Sequence, residues 1–198
     1  MELHLSAAKN WLGHRNPSFT RQQSYWLFRP HALTTGLRRV GALELQVVRE
    51  YAGGLRQDEA WMLDLPSRHP VWVREIIMSL DGVPCVFARS FTPLRASHGT
   101  WQGIRRLRTR PLADMLYHDS QVRRSRFAVQ RLKPWQTLYD SVRRKLKNDC
   151  PPAHRMLVRC SVFWRDRQPL LVSECFLPDF WPLAQKARQA GGKPLTSF

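Results

Sequence analysis

The sequence lacks a long apolar run and a secretory leader. None of its apolar stretches approaches the roughly 18 residues that a membrane-spanning helix requires. The first residues, MELHLSAAKNWLGHRN, have neither the basic start nor the apolar centre and small-residue cleavage site of a signal peptide. These absences predict a cytoplasmic protein without a membrane span.

Cysteine is scarce, and its spacing indicates no metal site. The four cysteines form no CxxC pair and have no histidine partner at zinc-ligand spacing: Cys85, Cys150, Cys160 and Cys175. The chain also lacks HExxH, GxSxG, Walker A and GxGxxG motifs. We therefore expect reduced thiols and no metal or organic cofactor.

Acidic residues are few relative to basic ones. The chain carries 32 Lys and Arg against 15 Asp and Glu, a net charge of +17. Such a charge fits nucleic-acid binding, attraction of small polyanionic substrates, or a basic surface with no specific partner. The basic residues are spread along the chain, as in Arg38-Arg39 and Arg123-Arg124, and match no DNA-binding motif. We therefore expect no obligate nucleic-acid partner, and keep a basic nucleic-acid-binding protein as an alternative.

The chain does have enough apolar and aromatic material for one core. Hydrophobic residues make up 43% of it, with 8 Trp and 9 Phe, and 198 residues suit one domain better than two. We expect a single domain over residues 1–198, with a core at about 25–180. The N-terminal segment and the tail after Pro178 are expected to be peripheral, and the protein to be a monomer.

The clearest local pattern is a β-hairpin at residues 71–91. Two β-prone apolar runs flank Asp81-Gly82, which suits a two-residue type I′ turn because both positions need positive φ. An unbroken register from that turn places Arg74 directly across from Arg89.

Other segments complete a fold class. A second hairpin is predicted at residues 155–177, with its turn at 166–169. Residues 43–51 alternate as a half-exposed strand, residues 52–70 indicate a loop, and helices are predicted near 22–28, 32–35, 111–118 and 135–147. Hairpins with long, partly helical connections predict an α+β domain, a mostly antiparallel sheet with helices packed on it.

Arg74 and Arg89 are the first candidates for chemistry. In the predicted register their guanidinium groups face each other among apolar neighbours, where they repel and lose hydration. A negative partner is therefore needed, either a bound carboxylate or a buried Asp or Glu. The residues alone leave both open, and the structural salt bridge is the commoner outcome.

Glu174 and the region of Leu112 are further candidates. Glu174 shares its strand face with apolar residues, so its carboxylate needs either an arginine partner or a proton. Either state is compatible with acid–base chemistry, and a purely structural ion pair is the plainer alternative. The start of the predicted 111–118 helix offers free backbone N–H groups near Leu112 to a carboxylate, although an ordinary solvated helix start is commoner.

Four segments, in order, resemble the bacterial chorismate lyase family. The central hairpin resembles that family's W-L-R-E-[IV] and D-G-x-P pattern, and the last segment resembles its G-K-P-L-L-x-x-E-x-F-L-P element. The segments are YWLFRPHALTTGLRRV at 25–40, WVREIIMSLDGVPCVFARSFTP at 72–93, RTRPLADMLY at 108–117 and RQPLLVSECFLP at 167–178. This chain departs from the family pattern at Ala113, where glycine is usual, and at Arg167-Gln168, where Gly-Lys is usual.

The resemblance implies a ligand site enclosed by flap-like segments. It implies that Arg74 and the backbone N–H of Leu112 bind a ring carboxylate, and that Glu174 and the backbone of Leu33 meet a hydroxyl at the other end. Glu174 and Arg74 are the implied catalytic residues. Arg89 also matches a family arginine, which makes it a further candidate for substrate binding without an assigned role.

The implied activity is the elimination of pyruvate from chorismate to give 4-hydroxybenzoate, without a cofactor, as the first committed step toward ubiquinone. Inhibition by the product is also expected. The alternative is a non-catalytic domain that binds a hydroxybenzoate-like molecule, because effector domains of some transcription regulators share this fold. Those regulators carry a DNA-binding domain ahead of it, and the first 40 residues here show no winged-helix pattern.

Overall fold

The protein is built on an antiparallel sheet. The computed structural model describes residues 11, 13, 17–117 and 119–191, and the statements below concern those residues. Their strands are β1 (Leu43–Gly54), β2 (Pro70–Leu80), β3 (Val83–Pro93), β4 (Arg123–Arg124), β5 (Ala128–Arg131), β6 (Leu157–Arg165) and β7 (Gln168–Phe176). The sheet order is β1-β2-β3-β7-β6-β4, with β5 also paired to β6, and each pairing is antiparallel.

Helices cover both faces of this sheet. They are α1 (Arg21–Phe28), α2 (Leu33–Leu37), α3 (Gln57–Leu63), α4 (Ala113–Leu116), α5 (Thr137–Leu146) and α6 (Phe180–Gly191). One face packs against α1, α2, α6 and α4, and the other face packs against α3 and α5. This arrangement confirms the predicted α+β class. Within the described ranges, no helix combines the length and apolar character needed to cross a bilayer.

The predicted loop at 52–70 is only partly a loop. β1 continues to Gly54, and α3 lies between β1 and β2. The short helix buries Ala60, Met62 and Leu63 against the sheet and ends at Asp64 in the left-handed conformation, with φ of 54°. The loop prediction was wrong because seven residues are too few to show a helical period clearly.

The segment after Pro178, which was predicted to be peripheral, contributes Phe180 and Ala184 to the core, while most other residues of α6 are at least partly exposed. Phe180 at the start of α6 is fully buried, and its ring meets Trp26 of α1 edge-on with 4.9 Å between centroids. Proline usually interrupts a helix. Pro182, however, lies in the first turn of α6, where a backbone N–H donor is not required. The end of the predicted tail, at 192–198, lies outside the described residues, as does most of the predicted N-terminal segment.

The central hairpin has the predicted turn and a different register. Asp81 and Gly82 both have positive φ, 50° and 80°, which confirms the two-residue turn. The pairings beside the turn are as predicted, but the register slips by one residue at Cys85. Cys85 is therefore the extra residue of a β-bulge in β3, and its carbonyl accepts a hydrogen bond from the Leu177 N–H at 2.9 Å.

The bulge sends Arg89 to the opposite face of the sheet from Arg74. Arg74 pairs across the hairpin with Ser90, and Arg89 pairs with Glu75. The predicted pairing of Arg74 with Arg89 was therefore wrong, because one inserted residue exchanges the faces of every later side chain in the strand. The two guanidinium groups do not meet.

Candidate active site

A cavity lies on the sheet face that carries α1, α2 and α4. Its empty volume is about 550 Å³, counting the part that opens to solvent. The floor consists mainly of side chains from four neighbouring strands, among them Ile76, Met78, Ala88, Ser90, Ser161 and Val172. Residues of α2 and its N-terminal approach form one wall, and residues 111–117 form another. A mostly apolar pocket with a few polar groups suits a small organic ligand.

Three of the five predicted binding residues line this cavity. Leu33 begins α2 on one wall, Leu112 immediately precedes α4 on another, and Glu174 reaches the floor from β7. α4 is shorter than the predicted 111–118 helix, and residue 118 lies outside the described residues. The first hydrogen bond of α4 is donated by the Asp114 N–H. The Leu112 N–H lies before that point and is not part of the helical hydrogen-bond pattern.

Arg74 lies beside the cavity, next to the Leu112 wall. Its neighbours on the same sheet face, Ile76 on β2 and Ser90 across the hairpin, both line the cavity. The side chain is 2% exposed, and its guanidinium donates to Glu50 and, at 2.5 Å, to the carbonyl oxygen of Arg108. That carbonyl belongs to the loop leading into Leu112, so Arg74 is held against the segment with which it was predicted to act.

Glu174 has an arginine partner. Arg159 on β6 is directly opposite Glu174, and its Nε donates to Glu174 Oε2 at 2.5 Å. Arg159 also lines the cavity, yet its side chain is only 1% exposed. The charge pair gives the apolar cavity one strongly polar end.

Arg159 was not among the residues predicted for the site. The structure buries both faces of β6 over residues 157–163. The signal that reveals the pair is the turn, since Asp166 and Arg167 form a two-residue turn with φ of 48° and 60°. Counting outward from that turn places Arg159 directly opposite Glu174.

Arg89 is not brought together with the cavity residues, because the bulge at Cys85 turns it to the other face. There its Nε and a terminal nitrogen bind the Glu59 carboxylate at 2.5 and 3.0 Å, and its other terminal nitrogen binds Glu75 at 2.5 Å. Burial raises the pKa of Glu59, while the hydrogen bond and charge of Arg89 oppose that rise. Arg89 therefore has the buried acidic partners of a structural salt bridge.

Tyr117 is a second cavity residue that the sequence reasoning did not identify. It lies on the wall after α4, and its hydroxyl accepts a hydrogen bond from Arg124 at 3.3 Å. Burial raises the pKa of the Tyr117 hydroxyl, which favours the neutral phenol as a hydrogen-bond donor. Among the described residues, no group of three or more His, Cys, Asp or Glu is arranged to hold a metal ion.

Comparison with known proteins identifies a family. The model of the family described as chorismate lyase matches residues 7–186. The chain belongs to the chorismate lyase family. This confirms the resemblance seen in the sequence.

Relatives of this chorismate lyase family member match nearly its whole length. A probable chorismate pyruvate-lyase of Bordetella pertussis is 50% identical over 186 residues, 93% of this chain and 97% of that protein. Its counterpart in Bordetella avium is 52% identical over 88% of this chain and 86% of that protein. The probable chorismate pyruvate-lyase 1 of Pseudomonas fluorescens is 38% identical over 90% of this chain and 94% of that protein.

Solved structures show that the fold extends beyond chorismate lyases. The C-terminal domain of PhnF has a TM-score of 0.53 at 13% identity, covering 82% of this chain and 93% of that one. The C-terminal domain of the histidine utilization repressor from Pseudomonas syringae has a TM-score of 0.50 at 14% identity, covering 69% of this chain and 92% of that one. At these identities the likeness shows the fold alone.

Proposed function

We propose that this protein eliminates pyruvate from chorismate to give 4-hydroxybenzoate, without a metal or organic cofactor. The observation that carries the proposal is the cavity itself: in a chorismate lyase family member, one apolar pocket has Glu174 at its polar end and Arg74 beside its Leu112 wall. We further propose that the product supplies ubiquinone synthesis. We also propose that the protein acts as a monomer.

The chemistry needs positioning more than it needs a strong reagent. Chorismate carries a ring carboxylate, an enolpyruvyl ether and a neighbouring ring hydroxyl. Loss of the hydrogen from the ring carbon that bears the hydroxyl, with cleavage of the bond between the adjacent ring carbon and the ether oxygen, gives an aromatic ring and enolpyruvate. Protonation of enolpyruvate at carbon gives pyruvate. Aromatisation makes the step favourable, so a rigid site that orients the substrate supplies much of the catalysis.

Arg74 and the Leu112 amide are proposed to bind the ring carboxylate. The guanidinium of Arg74 is buried beside the loop that precedes Leu112, where a charge-assisted hydrogen bond to a carboxylate is strong. Its present carboxylate partner, Glu50, is 26% exposed, so water can solvate this carboxylate if a ligand replaces it. This contact is the interaction that orients the ring.

Glu174 and the Leu33 backbone are proposed to meet the hydroxyl end of the ring. Glu174 reaches the cavity with one carboxylate oxygen bound to Arg159, and Leu33 lies on the facing wall at the start of α2. A carboxylate there accepts a hydrogen bond from the ring hydroxyl and is placed to take part in proton transfer during the elimination. Arg89 is on the other face of the sheet and is not part of this proposed ligand set.

The test is a reaction of purified protein with chorismate in the presence of a metal chelator. We expect equal amounts of 4-hydroxybenzoate and pyruvate by chromatography, and a large decrease in the rate of formation of both with Glu174→Gln. Arg143→Gln is the control, since Arg143 is an exposed arginine of α5 on the opposite face of the sheet. Binding of 4-hydroxybenzoate without turnover would instead indicate a sensor domain. The absence of both binding and turnover would contradict the proposal.

A further inference from the structure

We propose that Arg159 is a positioning residue for Glu174, and that it ties the Glu174 carboxylate to the C-terminal end of α1. The inference deepens the proposed function and rests on it. It assigns a task to a buried arginine that the reaction scheme above does not use.

The first contact of Arg159 fixes the carboxylate. Arg159 and Glu174 are directly opposed on β6 and β7, with Nε of Arg159 2.5 Å from Oε2 of Glu174. The arginine is 1% exposed and the glutamate 16% exposed, so the ion pair is largely removed from water. A buried charge-assisted bond of this kind restricts the rotation of the carboxylate and leaves Oε1 outside the bond.

The second contact of Arg159 reaches α1. A terminal nitrogen donates to the carbonyl oxygens of Trp26 at 3.1 Å and Arg29 at 3.2 Å. These carbonyls lie at the C-terminal end of α1, where they lack helical partners and where the helix dipole favours a positive charge. Leu33 follows Arg29 by four residues, so one guanidinium joins the Glu174 carboxylate to the segment that leads into the Leu33 wall.

The surroundings of Arg159 suit a planar guanidinium. Its central carbon lies 4.4 Å from the ring centroid of Phe127 and 6.0 Å from that of Phe176. A guanidinium donates in several fixed directions and interacts with aromatic rings, whereas a lysine ammonium is a compact point charge. The site is therefore built to hold an arginine in one orientation.

The experiment compares Arg159→Met, Arg159→Lys, Glu174→Gln and the double variant Arg159→Met/Glu174→Gln. Because misplacement of a reacting group by about 1 Å can cost about 100-fold, we expect Arg159→Met to lower kcat by about 100-fold. The affinity for benzoate, which lacks the hydroxyl, should change little, while the preference for 4-hydroxybenzoate over benzoate should be lost. Arg159→Lys should recover part of kcat and part of the preference for 4-hydroxybenzoate. Arg165→Met is the matched control. Arg165 is on the same strand, its Nε lies 3.2 Å from an Asp119 carboxylate oxygen, and this pair does not line the cavity.

The double variant decides how Arg159 acts. If Arg159 works through Glu174, Arg159→Met has no further effect on kcat once Glu174 is already Gln. Equal effects in both backgrounds would overturn the proposal, because Arg159 would then act independently of Glu174. Should Arg159→Met fail to fold, Arg159→Lys carries the test, and wild-type kcat with an intact hydroxyl preference in that variant would also overturn it. A wild-type protein that binds 4-hydroxybenzoate without turnover would refute the proposed function alone, since the hydroxyl preference still tests Arg159.

Discussion

Two buried arginines on adjacent strands differ in how their charge is neutralised. Arg89 is 4% exposed and binds two buried carboxylates, Glu59 and Glu75, the latter also bound by the Ser141 hydroxyl at 2.6 Å. Arg74 is 2% exposed, but its carboxylate partner Glu50 is partly exposed, and its other acceptors are backbone carbonyls. We therefore expect an anionic ligand to use the charge of Arg74, whereas the charge of Arg89 is balanced by buried carboxylates.

This difference predicts opposite outcomes for the same substitution. Arg89→Met leaves two buried carboxylates without their cation, and we expect it to lower the free energy of unfolding by about 3–5 kcal/mol. Arg74→Met should cost less stability and should weaken binding of benzoate and 4-hydroxybenzoate alike. Urea unfolding and calorimetric titration measure the two effects. If Arg89→Met lost ligand affinity and kept full stability, the structural role of Arg89 would be contradicted.

Glu59 makes the stability of the protein depend on pH. Burial raises its pKa above the ordinary value of 4.5, so between these two pKa values the folded chain keeps a proton there that the unfolded chain releases. That contribution favours the folded state below about pH 4.5 and is lost as the pH rises through the raised pKa. Glu59→Gln should therefore remove part of the decrease in unfolding free energy above that pH, measured by urea unfolding at a series of pH values. Glu44→Gln, at an exposed position of β1, is the control, and equal slopes in the wild type and Glu59→Gln would contradict the prediction.

The residues of the site could be predicted to different extents. Glu174 and the region of Leu112 were candidates from the sequence pattern, Leu33 was identified by family resemblance alone, and the structure brings all three to one cavity. Arg159 was accessible to reasoning from the turn at Asp166-Arg167, because the β6/β7 hairpin keeps the register of its two-residue turn without a bulge. The face of Arg89 was not accessible in this way, since nothing in the local sequence indicates that the strand inserts an extra residue at Cys85.

Among the elements, both hairpins and the helices α1, α2, α4 and α5 were predicted near their observed positions, whereas α3 and the packing of α6 were not. Turn chemistry and alternating apolar residues identify a hairpin from within its own segment. The role of α6 depends on partners distant in the chain, because Phe180 packs against Trp26 of α1 and Phe176 of β7 at 4.9 and 5.2 Å between ring centroids. Such packing leaves little trace in the local sequence. It also makes α6 a support for α1, the helix whose end is bound by Arg159.

The support from α6 can be measured by truncating its buried ring. Phe180→Ala removes a fully buried side chain from the aromatic cluster, and we expect a loss of about 3–5 kcal/mol in the free energy of unfolding. Lys186→Ala, at an exposed position of the same helix, should change stability little. Both are compared by urea unfolding. Equal stabilities of the two variants would show that α6 is peripheral after all.

At the scale of the whole molecule, the two sheet faces have different tasks. The face with α3 and α5 holds the Arg89 network and the closely packed residues around Ile77 and Phe87. The face with α1, α2 and α4 holds the cavity, and its polar end is joined to α1 by Arg159. Alternation along the strands produces this division, since neighbouring residues such as Glu174 and Cys175 serve opposite faces.

The net charge of +17 predicts that capture of a dianionic substrate depends on salt. Raising the ionic strength from about 0.01 to 0.15 M shortens the Debye length from about 30 to 8 Å, so kcat/KM should fall while kcat changes little. The position of the charge should matter as well. Arg110 is exposed on the loop whose carbonyl accepts from Arg74, whereas Arg143 is exposed on α5 across the sheet. Arg110→Gln should therefore lower kcat/KM at low salt more than Arg143→Gln does, and the difference should vanish at high salt. Initial rates over a salt series measure this, and a salt-independent kcat/KM would contradict electrostatic attraction of the substrate.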